Sequence, residues 1–249
     1  MKWHIEPIAL HRVRVPGPEV LFQRGFTEMV DLVIYAFVLR GGALTCVVDT
    51  GLAADYTRLN DDVRARKGPA SGFVDIGLPL PQQLSSRGLR PDHLLLTSFG
   101  PYTTGALDAW PDMPLWVSAR GCDDLLQPEE AALTHPVEPA LRERLLGAHC
   151  VSGEREVLPG LTLVETGIHH PASAAVLVDT EEGTVGILDP VFLARNLREG
   201  IALGAAEHAA GWHAMVRRIG RRSSALLPIH DPEPTPLPQA QWHTTLRDT

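Results

Sequence analysis

Three places in the chain combine an apolar, strand-like run with a metal-ligating side chain at or just beyond the end of that run. Side chains at strand ends on one edge of a sandwich can converge on one site. Two imidazoles and one carboxylate are a competent ligand set for a single Zn or Fe ion, with positions left open for water or substrate. The three side chains are His169 in the loop after residues 161–164, Asp189 directly after residues 185–188, and His230 directly after residues 226–229. His170 is adjacent to His169 and could exchange roles with it.

A fourth strand end, in residues 94–107, carries hydroxyl groups instead of such ligands. The sequence LLLTSFGPYTTGAL predicts a buried strand, a loop with Gly and Pro, and the start of a helix, a junction where α/β proteins commonly place chemistry. It contains no carboxylate, histidine or cysteine. Tyr102 is expected to donate a proton or to orient water or substrate. Ser98 is a second candidate catalytic residue, although no G-x-S-x-G elbow surrounds it.

The elements that position these residues follow the same order in both halves of the chain. Residues 29–39 and 43–48 predict a hairpin turned at Arg40-Gly41-Gly42. A helix and the strand of residues 93–97 follow it. In the second half, strands at 161–164, 174–178 and 184–188 precede a helix at 197–220 and a strand at 225–229. Two similar α/β halves with helices outside predict a four-layer αββα sandwich, with residues 1–249 as one domain.

Other segments carry more local predictions. Residues 3–15 are expected to form an edge strand, because polar and apolar residues alternate there loosely. Residues 120–150 are helix-prone and interrupted by Pro, which is typical of a lid inserted over a cleft. The tail from Asp231 is rich in Pro, so we expect it to lack regular structure.

Composition excludes several classes of function. The 249 residues include 44% hydrophobic and 21% charged residues, which is ordinary for a globular protein with a sizeable core. The formal net charge of −8 argues against nucleic acid as a partner, because phosphate binding needs a basic surface. The sequence contains no run of about 18 apolar residues, and its N-terminal residues lack the long apolar core of a signal peptide. We therefore expect neither a membrane span nor a signal peptide. The 3 cysteines contain no C-x-x-C pair, which favours a reducing cytoplasm. The oligomeric state stays open.

Four segments resemble the metallo-β-lactamase superfamily, and in particular its N-acyl-homoserine-lactonase-like branch. The resemblance covers nearly the whole chain and implies the αββα fold. It also implies that His169 and His230 correspond to metal histidines and Asp189 to the metal-bridging aspartate. The segments are MVDLVIYAFVLRGGALTCVVDTGL with its D-T-G turn, GIHHPASAAVLV for the family's G-H-T-P-G-S, GILDPVFLARNL for G-D-x-x-Y-x-x-N, and LLPIHDP for P-G-H-D-P.

The chain departs from that family in its T-H-x-H-x-D-H-x-G signature. Ser98 and Gly100 stand in place of the H-x-H histidines, and Tyr102 and Thr103 in place of the Asp-His pair. Phe192 replaces the lactonase tyrosine whose phenol would bond a substrate carbonyl. A two-metal hydrolase needs the lost ligands to hold its second ion. We therefore predict a degenerate site without the usual dinuclear zinc, using at most one ion held by His169, Asp189 and His230.

Three functions fit this set of residues. The first is a hydrolase that opens a lactone, ester or thioester of a small molecule with one divalent metal, Zn or Fe. The second is a metal-independent cyclase, lyase or isomerase in the same cleft. In that case His169 or His230 acts as general base, and Asp189 fixes the imidazole tautomer. The third is a non-catalytic protein that binds a small ligand there.

Overall fold

Two mixed β-sheets pack against each other in the computed structural model, which describes residues 1–127 and 137–247. The first sheet contains β1 (His4–Pro16), β2 (Met29–Gly41), β3 (Leu44–Val48), β4 (Val74–Asp75), β5 (His93–Leu95), β6 (Leu115–Ser118) and β7 (His149–Val151). The second contains β8 (Glu154–Leu158), β9 (Leu161–Glu165), β10 (Ala174–Thr180), β11 (Gly183–Leu188), β12 (Ala225–Pro228) and β13 (Leu237–Pro238). Their spatial orders are β4-β1-β2-β3-β5-β6-β7 and β13-β12-β11-β10-β9-β8.

Helices connect the strands and cover the outer faces. They are α1 (Gly17–Val20), α2 (Thr57–Lys67), α3 (Leu80–Ser86), α4 (Pro101–Thr104), α5 (Ala119–Leu126), α6 (Pro139–Leu146), α7 (Ala194–Glu199) and α8 (Trp212–Gly220). Among the described residues, no helix has both the length and the apolar character needed to cross a membrane.

The buried side chains form the layers that the sequence predicts. Phe37 of β2 lies in one cluster with apolar residues of the second sheet, such as Leu163 and Ile187. Its neighbour Val38 lies in another cluster, with residues of α3 and α6. This alternation follows the two-residue period of a strand and buries both faces of the first sheet. On the second sheet, Ile219 of α8 lies beside Gly186 of β11. The predicted αββα sandwich is therefore confirmed.

The predicted hairpin is present as β2 and β3, which pair from Phe37 opposite Val48 to Gly41 opposite Leu44. The prediction of an edge strand at residues 3–15 is wrong in one respect. β1 is a strand, but β4 pairs with it at His11 and Arg12, so β1 lies inside the sheet. The β4 strand has only two residues. It is too short to show the alternation by which a strand is predicted from sequence.

The single long helix predicted at residues 197–220 is wrong. The α7 helix stops at Gly200, which takes a left-handed φ of 64° and forms the C-cap. The α8 helix begins only at Trp212. Between them, Gly204 passes so close to the backbone of Pro18 that an added Cβ would lie 1.7 Å from its carbonyl oxygen. The backbone conformations at Gly200 and Gly204 therefore interrupt the helix, although the apolar residues of this segment recur at helical spacing.

The prediction that the tail from Asp231 lacks regular structure is also wrong. β13 pairs with β12, with Leu237 opposite Leu226. Two 3₁₀ turns follow, and Trp242 is fully buried, with its indole N–H donating to Leu237 O (2.9 Å). Burial of one large aromatic side chain offsets the poor strand propensity of a Pro-rich segment.

The predicted lid segment, residues 120–150, supplies most of α5, all of α6 and the start of β7. Within it, residues 128–136 lie outside the described part of the chain. The α5 and α6 helices join the parallel strands β6 and β7, and Leu145 belongs to the cluster on the outer face of the first sheet. Asp124, Leu125 and Val137 also line the cavity described next. The role of this segment as a lid stays a prediction.

Candidate functional site

A cavity of about 460 Å³ lies where the loops after β5, β9, β11 and β12 approach one another. Each of these loops follows a buried strand, so the strands fix where its polar residues stand. The cavity is lined by three residues that the sequence predicts for the site, Tyr102, His169 and His230, and also by His170 and Phe192. Asp189 lies immediately behind His169 and is fully buried.

His169 and Asp189 form a buried pair. The Nδ1 atom of His169 lies 3.2 Å from both carboxylate oxygens of Asp189, and Ser173 Oγ donates to Oδ2 (2.5 Å). Burial alone would raise the pKa of Asp189. The charge and hydrogen bond of His169, with smaller effects of His170 and Ser173, outweigh burial and hold that pKa below its usual range. The carboxylate is therefore ionised and available as an anionic ligand or as an orienting group.

His170 completes the group. His169, His170 and Asp189 each offer a ligand atom, and these atoms lie within 4.8 Å of one another. A tight turn positions the two histidines: Gly167 has a φ of 59°, and Ser173 N–H donates to His170 O (2.9 Å). Among the described residues this is the one set of three such side chains close enough to hold a metal ion.

His230 lies beside the group but outside it. Its Nδ1–H donates to Val33 O (3.1 Å), because a carbonyl can only accept, and Nε2 is then the unprotonated nitrogen. Burial lowers the pKa of His230 to about 4, so the ring is neutral near pH 7. The ring of Phe192 packs edge-on against His230 and His169, with centroids 4.7 and 5.2 Å away. His230 thus faces Phe192 and the phenol of Tyr102, whose ring centroid is 5.8 Å away.

The loop after β5 is closed by its own hydrogen bonds. Ser98 has no exposed surface, and its hydroxyl lies 3.2 Å from Thr103 Oγ1 and accepts from Gly100 N–H (3.3 Å). Thr103 Oγ1 lies 2.9 Å from Ser98 O and 2.8 Å from Gly100 O, and Thr104 Oγ1 donates to Gly100 O (3.0 Å). These hydroxyls therefore serve the loop backbone, and within this loop Tyr102 is the one residue that presents a polar side-chain group to the cavity.

Tyr102 sits against the backbone at Gly100, where an added Cβ would lie 2.7 Å from the phenol ring. Glycine at position 100 therefore makes room for this ring. Burial raises the pKa of Tyr102 well above its usual range, and the nearby Asp189 carboxylate raises it further. The phenol stays protonated and can act as a hydrogen-bond or proton donor.

Asp49 lies behind the same loop. It has a left-handed φ of 60°, and its carboxylate accepts from Thr97 N–H (2.8 Å) and Thr97 Oγ1–H (2.6 Å). Burial raises the pKa of Asp49 to about 8. It does not line the cavity, and it joins the turn after β3 to the end of β5.

Sequence reasoning missed Ser173 and the apolar wall of the cavity. Ser173 lies four residues after His169, at the end of the loop between two predicted strands. That position could have identified it as a residue of the site. The wall contains residues of β1, β2, α2 and the segment after α2: Val13, Val15, Leu32, Ile34, Val63 and Phe73. Strand alternation predicts that such residues are buried, but it does not tell a packed face from a cavity wall.

No protein-family profile matches the chain, and no curated protein sequence matches it significantly. Solved structures match along almost its whole length. An N-acyl homoserine lactone hydrolase, with N-hexanoyl-L-homoserine bound at its catalytic metal centre, is 16% identical, with a TM-score of 0.77 over 94% of this chain and 95% of that one. A probable metal-dependent hydrolase from Staphylococcus aureus is 9% identical, with a TM-score of 0.73 over 92% and 90%.

A third structure, the hydrolase AbOPH of the beta-lactamase superfamily, is 15% identical, with a TM-score of 0.63 over 94% and 89%. At these identities the likeness establishes the fold. The fold that the resemblance to the metallo-β-lactamase superfamily implies is thus confirmed.

Proposed function

We propose that this chain is a hydrolase that opens a lactone, ester or thioester of a small molecule, using one divalent metal ion at most. The observation that carries the proposal is the group His169, His170 and Asp189 at the cavity, with its ligand atoms within 4.8 Å of one another. His169 and Asp189 are buried and His170 is half-buried. Burial of an ionised carboxylate and an imidazole costs free energy unless the groups are paired or serve a function. The structural neighbours include metal-dependent hydrolases and lactonases.

The donor set fits one ion of the Zn or Fe type. Nitrogen and oxygen ligands of these metals are imidazole and carboxylate, and three protein ligands leave a position for water or substrate. The residues that could have held a second ion are absent. The four positions of the family signature carry Ser98, Gly100, Tyr102 and Thr103, and three of them bond within their own loop. We include His230 as a further ligand to be tested, since the sequence predicts it and Phe192 packs against both His230 and His169.

When bound, such an ion supplies Lewis acidity, which polarises a carbonyl and makes a water molecule a better nucleophile at neutral pH. The chain's own residues do the rest. Asp189 holds the ring of His169 in place. The protonated phenol of Tyr102 donates to the oxygen of the leaving alkoxide or to the carbonyl oxygen. Ser98 lies beside the phenol of Tyr102, whose pKa burial raises and Ser98 lowers, and in this proposal Ser98 does not touch substrate.

The substrate carries an apolar group. Part of the cavity wall is formed by aliphatic and aromatic side chains, among them Val15, Ile34 and Phe73. Charged residues also line the cavity: Glu19, Arg66, Lys67 and Asp124. Burial of apolar surface contributes about 25 cal/mol per Å², so an acyl or alkyl substituent gains affinity there. A small lactone, ester or thioester with such a substituent is the class that fits both parts of the cavity.

A metal-independent enzyme is the second candidate. It is favoured by the pair of His169 and Asp189, which with Ser173 is a complete hydrogen-bonded unit of general-base type without an ion. In that case turnover would be a cyclisation, elimination or isomerisation. A protein that binds a ligand without turnover is the third outcome.

The deciding experiment measures metal content and turnover on the same preparations. Elemental analysis of the purified protein is combined with assays on acyl lactones, aryl esters and acyl thioesters, before and after chelation and after addition of Zn, Mn or Fe. His169→Ala is compared with His4→Ala, an exposed histidine on β1 outside the cavity.

Hydrolysis that is lost on chelation, restored by metal and absent in His169→Ala supports the first candidate. Chelator-resistant turnover that His169→Ala abolishes supports the second. Ligand binding without turnover, retained in a variant lacking all the site histidines and Asp189, supports the third. Two equivalents of tightly bound metal would contradict the limit of one ion.

A further inference from the structure

Two of the three thiols lie together on the outer face of the first sheet. Cys150 of β7 is paired with Val117 of β6, and residues paired in this way direct their side chains to the same face. Val117 belongs to the helix-covered cluster, and so does Cys122 of α5. The strand register therefore places Cys150 on the face against which Cys122 packs.

The contacts of the sulfurs agree with this placement. Cys122 Sγ lies 3.8 Å from Leu145 O, and Cys150 Sγ lies 3.7 Å from Ala148 O. Leu145 lies in the last turn of α6, and Ala148 lies in the short connection from α6 to β7. The two thiols lie close enough for Cys150 to affect the ionisation of Cys122. Neighbouring thiols on one face of a sheet can be joined through small side-chain movements.

The two thiols differ in access. Cys150 is exposed, whereas Cys122 is buried. Burial raises the pKa of Cys122 to about 12, and Cys150 adds to the rise. Cys46 is fully buried in β3, and burial raises its pKa to about 12 as well. A thiol reacts as the thiolate and only where a reagent reaches it, so Cys150 is the first to be oxidised.

We propose that Cys122 and Cys150 form a reversible intramolecular disulfide in response to hydroperoxides. The Cys150 thiolate attacks the peroxide oxygen, which gives a sulfenic acid and, with one proton, releases water or an alcohol. The Cys122 thiol then attacks the sulfenic sulfur, the S–S bond forms and a second molecule of water leaves. Two thiols are oxidised and one peroxide is reduced. A dithiol reductant restores the pair.

The bond would act on the cavity through α5. That helix carries Asp124 and Leu125, which line the cavity, and Leu125 O accepts from the Arg142 guanidinium of α6 (2.8 Å). Linking Cys122 to β7 ties the α5 side of the cavity to the sheet edge. The inference is independent of which reaction the cavity performs.

The test treats the reduced protein with hydrogen peroxide and measures intact mass, free thiols and disulfide-linked peptides. The expected product is a monomer that has lost two hydrogen atoms and two free thiols, with Cys122 linked to Cys150, and a dithiol reverses it. Hydrogen exchange of residues 119–126 should slow in the oxidised form. Cys46→Ser should behave like the wild type, whereas Cys150→Ser should lose the reaction.

Cys122→Ser should stop at oxygenated Cys150, as the sulfenic acid or a higher oxide. Because Cys150 is exposed, Cys150→Ser keeps the test valid even if the buried Cys122→Ser variant folds poorly. Three free thiols after peroxide, overoxidation of Cys150 as the main product in wild type, or disulfides formed only between molecules would each overturn the proposal.

Discussion

The loops that follow β5 and β9 meet at the same cavity, but their polar groups are used in opposite ways. After β5, the hydroxyls of Ser98, Thr103 and Thr104 lie against carbonyls, an amide or one another within that loop. After β9, the Ser173 hydroxyl bonds Asp189 at the end of β11, and His169 and His170 line the cavity.

This difference indicates which of the two loops can carry out chemistry at the cavity. On the β5 side, the hydroxyls of Ser98 and Thr103 bond within the loop, and the phenol of Tyr102 is the polar side-chain group that the loop presents to the cavity. On the β9 side, an ionised carboxylate is held against two imidazoles, an arrangement that costs desolvation unless it binds something or is fully paired. We expect metal binding and turnover to depend on the β9 side, and the β5 side to contribute mainly stability and the proton of Tyr102.

The largest effect is expected for Asp189→Asn. The amide is neutral and cannot accept from His169 and Ser173 as the carboxylate does. Metal affinity and hydrolysis should fall by more than about 100-fold, and the free energy of unfolding by about 2 kcal/mol. Elemental analysis, kinetics and urea unfolding measure these changes. Asp179→Asn is the matched control, because Asp179 bonds Thr184 Oγ1 away from the cavity. Unchanged metal content in Asp189→Asn would remove the contrast between the two loops.

Tyr102→Phe should come next. It removes the one polar side-chain group that the β5 loop presents to the cavity, so kcat should fall by about 100-fold. Metal affinity should not change, and stability should stay within about 0.5 kcal/mol. Tyr56→Phe is the control, since its phenol bonds Asp75 outside the cavity. A fall in metal content for Tyr102→Phe would instead make the phenol a ligand and place part of the metal site on the β5 side.

The same contrast shows what the sequence could predict. Long apolar runs such as residues 29–39 and 174–178 predict strands correctly, because the core imposes their periodicity. The ends of those strands then place His169, Asp189 and His230 near one cavity. The sequence could not show that His170, rather than His230, completes the group of close ligand atoms. That choice depends on a turn with Gly167 at positive φ and on the packing of Phe192.

Other failures have the same origin. The helix predicted across Gly200 and the unstructured tail after Asp231 were inferred from local pattern alone. Close backbone passage at Gly204 and burial of Trp242 decide them instead. These are contacts between residues distant in sequence, and neither propensity nor periodicity carries information about them.

His170→Ala and His230→Ala compare the two histidines that flank the pair. His170→Ala should weaken metal binding by about 10- to 100-fold. His230→Ala should weaken it by less than about tenfold, because His230 lies outside the group of close ligand atoms and Phe192 packs against its ring. Competition with a fluorescent chelator measures both affinities. The reverse order would restore the set predicted from the sequence, with His230 as a ligand after movement of Phe192.

Ser98→Ala should have the smallest effect on metal binding and turnover. It tests most directly whether the loop after β5 has a structural role. Its hydroxyl makes long hydrogen bonds of 3.2 and 3.3 Å inside the loop, so its loss should cost about 1 kcal/mol of unfolding free energy. Metal affinity should stay at the wild-type value, and any fall in kcat should be smaller than that of Tyr102→Phe, because Ser98 acts on substrate only through Tyr102. Ser86→Ala, on the exposed end of α3, measures the effect of losing a serine hydroxyl elsewhere in the protein.

If Ser98→Ala instead abolishes turnover while the protein remains folded and binds metal, Ser98 contacts substrate. Both loops would then be catalytic, because a serine that only braces Tyr102 cannot cost more than removal of the phenol itself.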